Sequence, residues 1–575
     1  MKSEIKKFFK GEVEDDVETL GKYSHDASIF EVRPQVVCYP KDSYDVQHLV
    51  AWVADNKKHH PHLSITARCA GTDMSGAAIG ESIILDFTRH MNKLIAFSPS
   101  PLQGEGRGEV NSTSITVQPG MFYRDFEKIT LEKGMILPCY TASKSINAVG
   151  GMYGNNSAGE RTLKYGKTEN YIVSAKVVFA DGVEREVKSF PVGMMEKQPE
   201  MYRKLYELVK NNEDDITHAK PQVSKNSAGY YLWNLIRRDS ANFAALPASG
   251  LRQGQNSQSP AYFDLNKVLV GSQGTLGIAT EITFRLVPEQ KYSKLVAIFM
   301  NDLSPLGRLV PEILSQEPET LESYDDKTMK LAVRFFPDFL KNKGLIGMIK
   351  FMWSFVPELK MMLGIHGGGF PKLILLAEFA GENEEEAHKK CERLVERIKE
   401  FKLKTHITKS KAEADKYWDI RRQSFALLRK HVAGKKTAPF IDDIIVRPEF
   451  LPKFIPELNA ILSKYDLTYT IAGHAGDGNF HIIPLMDFKR EDTGKIIMEL
   501  SDKVYDLVAR YRGSITAEHN DGLVRTPYLG KMYSEKMLRL FAETKKIFDP
   551  QYILNPGKKV GTTKQYLAEH ISKNI

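Results

Sequence analysis

Two histidines, His474 and His481, sit in the segment AGHAGDGNFHI between Ala472 and Ile482. Imidazole nitrogens bind divalent metal ions and carry protons near neutral pH. Asp477-Gly478, between them, is a tight-turn signal. A turn there folds the flanking chain back and can bring both rings to one point. A metal would need a third ligand, and SITAEHNDGL, Ser514 to Leu523, offers Glu518 beside His519. Neighbours in a regular strand point to opposite faces. Both can serve one site only if a strand ends there, and Asn520-Asp521-Gly522 is a terminator of the right type. By spacing alone, packed or surface imidazoles remain the alternative.

Three glycine-rich segments offer a different chemistry. ARCAGTDMSG, Ala67 to Gly76, follows the strand-like run LSIT. Small residues there let backbone N–H groups approach a phosphate. It matches neither a Walker A loop nor GxGxxG. AVGGMYGNNSAGERTLKYG, Ala148 to Gly166, places four glycines around Asn155, Asn156 and Ser157. VGSQGTLGIATEITFRLVP places Gly271, Gly274 and Gly277 just before a strand. Each alone reads as an ordinary turn; together they imply a long ligand laid across one domain.

The elements that would position these groups follow a mixed pattern. From Val36, short β-branched runs (VVCYP, LSITARCAG, SIILDF, SITVQPG) alternate with helical stretches such as Tyr44 to Asp55, an α+β texture. The segments 98–112 and 249–261 are rich in Gly, Ser and Pro without apolar periodicity and read as inserted loops. After Pro288 the texture shifts to charged helices, notably Glu382 to Lys402, and strands such as KLVAIFM and KLILLAEFA. A second shift falls near Gly513.

With 575 residues, 42% apolar and 26% charged, the chain is no collagen, coiled coil or wholly disordered protein. Its formal charge of +8 is too small an excess to suggest nucleic acid. Residues 402–436 hold eleven Lys/Arg against three acids, a net +8, so the excess is local. It surrounds Arg421 and suits steering of an anion, against the alternative of a solvated face. Four cysteines without CxxC spacing make a protein-bound iron–sulfur cluster or a disulfide framework unexpected and fit a reducing cytoplasm. No signal peptide or membrane span is expected. The apolar stretch Gly344 to Ile365 is broken by Lys350, Pro357, Glu358 and Lys360. It reads as core-packing helices, with peripheral docking on the inner face of a membrane as the alternative.

From YSHDAS (Tyr23 to Ser28) to LNPGK (Leu554 to Lys558) the chain resembles the FAD-linked oxidases of the vanillyl-alcohol oxidase superfamily, in particular the D-lactate/glycolate/D-2-hydroxyglutarate dehydrogenase branch. The resemblance implies an α+β fold: a PCMH/VAO-type FAD-binding domain with an antiparallel-sheet-plus-helices cap. The expected organisation is an N-terminal helix and lead-in loop (1–33), an FAD-binding domain (34–287), a cap carrying substrate and metal residues (288–512), and a segment returning to the FAD domain (513–575). By resemblance, Arg68, Cys69, Ala70, Gly71, Thr72, Asp73 and Ser75 hold the FAD pyrophosphate. Pro138, Thr141, Gly151, Asn155, Asn156, Ala158 and Gly159 line the flavin and ribityl chain. Ile278 meets the adenosine part and Asn555 returns to the flavin. The first loop has no His, which implies non-covalent FAD. GHxGDGNxH followed by AEH matches the branch's metal signature, implying His474, His481 and Glu518 as ligands, with zinc expected ahead of Mn or Fe, and His519 as catalytic base. Arg421 matches the carboxylate-binding arginine, and Lys225 and Asn226 a loop of substrate contacts.

The implied reaction oxidises a small anionic D-2-hydroxy acid to the 2-oxo acid, with a hydride passing to flavin N5. Such a site needs a cation at the developing alkoxide, a neutral imidazole for the proton and a guanidinium for the carboxylate. Two positions depart from hydroxyglutarate-specific relatives: Phe425 stands where a Thr is expected and Ile483 where an Asn is expected. Both favour D-lactate over a diacid. EHNDGLVRTP resembles large fused relatives that continue into an iron–sulfur half, so a quinone or a separate iron–sulfur protein is the expected electron acceptor. The alternatives are a D-2-hydroxyglutarate or glycolate dehydrogenase subunit of an electron-transfer complex, an alditol or aldonolactone oxidase, and a non-catalytic FAD scaffold.

Overall fold

A computed structural model of the chain describes residues 1–98, 113–237, 261–334, 371–431 and 434–573, without the side chains of 331–334 and 423–431. The inserted segments (99–112 and 249–260), the apolar stretch 344–365 and the side chain of Phe425 therefore lie outside the described residues. The chain forms two compact units. One comprises Met1–Gln222, Asn226–Glu289 and Ile515–Ser572; the other comprises Val223–Lys225, Gln290–Ser514 and Lys573–Ile575.

In the first unit, strands Val36–Tyr39, Ile83–Asp86 and Ile65–Arg68 run parallel, and Glu12–Glu14 adds antiparallel at one edge. VVCY and IILD are buried throughout, as runs covered on both faces must be. Helix Ser43–Asn56 is capped by Asp42 and turns Val46, Leu49, Val50 and Val53 onto this core. The Ile65–Arg68 strand delivers the first glycine loop at its carboxyl end, where ligand loops of parallel sheets lie. A second, five-stranded antiparallel sheet has Ile278–Arg285 at its centre, entered directly from the third glycine loop. Its alternating burial marks a strand with one face in the core.

The second unit is built on a seven-stranded antiparallel sheet. Its strand order is Lys404–Ile407, Tyr292–Met300, Leu373–Gly381, Thr320–Asp325, Ile471–His474, Asn479–Ile482 and Ile444–Ile445. Tyr417, Trp418 and Ile420 of helix Lys411–His431 join Leu295, Phe299, Tyr324 and Leu376 of the sheet in one apolar cluster. Arg421 follows Tyr417 by one helical turn and so shares its inward face. Among the described residues the four cysteines are free, and no helix is long and apolar enough to cross a membrane.

Candidate active site

In the first unit the glycine loops are knitted together by amide side chains and one carboxylate. The Asp73 carboxylate accepts from the N–H groups of Ser75 and Ala77 and from the Ser75 hydroxyl, which shapes the first loop. Its other oxygen accepts from Asn155 Nδ2 of the second loop at 2.7 Å. Gln273 of the third loop donates to Ser75 Oγ and Asn155 Oδ1 and accepts from the Gly522 N–H. Asn555, fully buried, donates to the carbonyls of Ala77 and Gln273 and accepts from Thr66. Thr141 accepts from Asn147 Nδ2, and a methyl on Gly159 would run into the carbonyl of Tyr140, so these two stretches pack backbone to backbone. Pro138 and Ala158 are buried, Asn156 adopts a left-handed conformation, and Ile278 opens the central strand.

The loops fit a phosphate-bearing cofactor. The backbone N–H groups of Ala70, Gly71 and Thr72 bond to no other described group, and this stretch is only half-buried. Gly71 has φ +66°, which a side chain would strain, and a methyl on Gly151 would meet nothing. Arg68 donates to the Ala78 carbonyl and lies over the Tyr23 ring. Gln273 was not singled out from sequence; its place between Gly271 and Gly274 was the available signal.

Glu518 and His519 do not end a strand. After a single bridge from Ser514 to Ile445 the chain is irregular. Its carbonyls are taken up instead by the 226–229 turn: Ser227 donates its N–H to the Thr516 carbonyl and its hydroxyl to that of Ala517. The buried Lys167 donates to Ala517, Asn226 and Ser227 together, and the buried Lys559 pairs with Asp521. Glu518 and His519 thus stand on a pinned loop that lets neighbouring side chains share one side. Their ligand atoms lie within 4.8 Å of each other. The Asn226 side chain bonds Ala228 and Tyr533.

In the second unit, Ile471–His474 and Asn479–Ile482 form a hairpin about Asp477-Gly478. Its register pairs Ala472 with His481 and His474 with Asn479, which puts both imidazoles on one face. Their ring centroids are 5.2 Å apart. The turn is anchored by Asp477, which accepts from Ser224 at 2.6 Å and pairs with the buried Lys225 at 3.1 Å. Glu322 stands on the neighbouring strand; the register Ser323–Gly473, carried one residue further, sets it opposite His474.

His474 Nδ1 lies 2.5 Å from Glu322 Oε1, and His481 Nδ1 lies 3.0 Å from the Asp442 carbonyl. Both partners only accept, so each Nδ1 carries a hydrogen, and in the neutral ring Nε2 then presents the lone pair. That is the tautomer of a metal-binding histidine. Arg421, 9% exposed, forms an ion pair with Glu322 at 2.6 Å. Burial pushes the Glu322 carboxyl up, but Arg421, His474 and Lys225 outweigh it and hold it down at about 2. Asp443, fully buried, has a ligand atom within 4.8 Å of that of His481 and accepts from Asn479. The donor set therefore fits a divalent cation. Neither Glu322 nor Asp443 was picked from sequence. Asp442-Asp443 inside the apolar run PFIDDIIV was a usable signal, whereas Glu322 in TLESYD gave almost none.

Comparison with known proteins places both parts of the chain among FAD-linked enzymes. Residues 34–188 match the model of the FAD binding domain, and residues 289–559 that of the FAD linked oxidases, C-terminal domain. The chain is 25% identical over 555 residues to the D-2-hydroxyglutarate dehydrogenase of Escherichia coli, covering 93% of this chain but 49% of that one. It thus spans about half the length of that curated relative. It is 24% identical to the glycolate oxidase subunit GlcD of Bacillus subtilis, covering 93% of this chain and 91% of that one. It is also 24% identical to the D-lactate dehydrogenase of Anaerostipes hadrus, covering 93% and 92%. The 4-ethylphenol oxidase of Gulosibacter chungangensis superimposes with a TM-score of 0.64 at 13% identity, over 98% of this chain and 97% of that one. The fold is the α+β, PCMH/VAO-type FAD-binding fold with a cap. The chain belongs to the FAD-linked oxidases, in the branch that holds D-2-hydroxyglutarate, glycolate and D-lactate dehydrogenases.

Proposed function

We propose that this chain is an FAD- and metal-dependent dehydrogenase that oxidises a D-2-hydroxy acid, D-lactate foremost, to the 2-oxo acid. The observation that carries the reading is the sheet face where two imidazoles, each held through Nδ1 by an acceptor, adjoin a buried guanidinium. His474, His481 and Glu518 hold the cation, with zinc the expected metal. When bound, the cation favours the alkoxide of the substrate and FAD takes the hydride from its Cα. Arg421 receives the substrate carboxylate as a fork of N–H donors. His519, as a neutral imidazole, accepts the hydroxyl proton. Ala70, Gly71 and Thr72 offer their N–H groups to the pyrophosphate, and Asn155 with Asn555 keeps the loops around the cofactor in register. Ile483 is buried and apolar, which suits a methyl-bearing acid. D-2-hydroxyglutarate is the second reading, because several relatives carry that name. A quinone or a separate iron–sulfur protein takes the electrons.

The test is to mix the FAD-loaded, zinc-loaded protein anaerobically with D- and L-lactate, D-2-hydroxyglutarate and glycolate. The flavin should bleach with D acids, fastest with D-lactate. Bleaching by none of them would overturn the reading. His481→Ala should keep FAD and bleach about a thousandfold more slowly, within the range that catalytic metal chemistry supplies. Wild-type bleaching in that variant would overturn the metal assignment.

A further inference from the structure

We propose that Glu322 is a positioning residue that couples metal binding to recognition of the substrate carboxylate. One of its oxygens fixes His474 and the other holds Arg421. The inference rests on the hydroxy-acid reading above. Glu322 is fully buried in the strand Thr320–Asp325. It lies directly across from Leu376 and shares a strand face with Tyr324, both members of the apolar cluster. A lone carboxylate in such surroundings is strongly disfavoured, and it stays there only when paired on every side. Its partners come from elements distant in sequence: His474 from the hairpin at 2.5 Å and Arg421 from the helix at 2.6 Å.

The two contacts differ in kind. The His474 contact is a directed hydrogen bond, which fixes both the tautomer and the plane of the ring. The Arg421 contact is off-line and acts as a Coulombic tether, holding the guanidinium on this face of the sheet. A shared anchor makes the two functions interdependent. An ordering of His474 by bound metal also orders Glu322, and through it Arg421. A carboxylate serving stability alone would give no such link.

The experiment uses the full FAD-loaded chain and zinc ions as the probe. Zinc affinity is measured without substrate by chelator competition, and KM and kcat for D-lactate are measured at saturating zinc. Glu322→Gln keeps the shape and removes the charge. It should weaken zinc about 10- to 100-fold, the usual effect of losing a metal ligand's supporting partner. It should also raise KM about tenfold while kcat at saturating zinc falls less. Wild-type zinc affinity in Glu322→Gln overturns the proposal, as does a wild-type KM. If that variant does not fold, Arg421→Lys answers the same question. It should weaken zinc at least about threefold although Arg421 is no ligand, and unchanged affinity overturns the coupling. His481→Ala in the same zinc assay separates the two levels. If it loses zinc while Glu322→Gln binds normally, only the coupling is wrong. If His481→Ala also keeps wild-type zinc affinity, the metal reading falls and takes the coupling with it.

Discussion

The glycine loops of the first unit and the sheet face of the second both gather polar groups, but by different means. The loops are joined mostly by amides: Asn155, Gln273 and Asn555 bond across them, and the Asp73 carboxylate both closes its own turn and accepts from Asn155. The groups there without a described partner are the backbone N–H groups of Ala70, Gly71 and Thr72. On the sheet face the groups are ionisable side chains: Glu322, Arg421, His474 and His481, with Lys225 and Asp477 beneath the hairpin. A cradle for a large cofactor needs close approach and many weak donors, which small residues supply. A site that moves a proton and holds a charged substrate needs groups whose charge is set by their neighbours. The first therefore tolerates loss of one amide better than a change in backbone shape; the second depends on each charge having its partner.

The contrast can be broken by substitution. The largest effect expected in the loops is from Gly159→Ala, whose methyl would displace the Tyr140 carbonyl. Overpacking of this kind costs about 3 kcal/mol, so the variant should purify without the yellow colour of FAD. Normal FAD content would show that the backbone there is adaptable. Asn555→Ala removes the donors to Ala77 and Gln273 and should cost about 2 kcal/mol, read as roughly thirtyfold weaker FAD binding. An unchanged affinity would mean that the loops hold their register without it.

A third test concerns a charge within the loop unit. Burial pushes the Lys558 ammonium down to about 8, with Asp26, Glu81 and Asp73 opposing. The unfolded chain keeps that proton over a range, about pH 8 to 10, where the folded chain has released it. Stability therefore rises with pH in that range. Denaturant unfolding should show about 2 kcal/mol more stability at about pH 9.5 than at about 7.5, relative to Lys558→Met. Parallel curves for the two proteins would leave Lys558 with no part in the pH dependence.

Much of the first unit was legible because its function rests on residue type. Gly71 marks a left-handed backbone and Gly159 a close approach of backbone, and a strand before such a loop is visible in the alternation of LSIT. The hairpin at His474 and His481 was legible for a similar reason, since Asp-Gly between two short strands is a local signal. The expected strand ending at Glu518 does not form, because the β-branched Ile515 and Thr516 suggest pairing while Ser227 takes the Thr516 carbonyl and Met532 the Ile515 N–H. Nothing near residue 516 announces a partner nearly 300 positions earlier.

By itself the sequence determined the family, the α+β architecture, the glycine-rich loops and the pair of imidazoles on one hairpin. Those depend on glycine, turn chemistry and short-range spacing. Only the tertiary structure decided that Glu322 meets both His474 and Arg421, that Gln273 and Asn555 join the loops, and that Lys167 and Lys559 pin the segment bearing Glu518 and His519. Each of those is a polar pairing between residues far apart in the chain. Hydrogen-bond geometry and burial set such pairings, and neither is written in local composition.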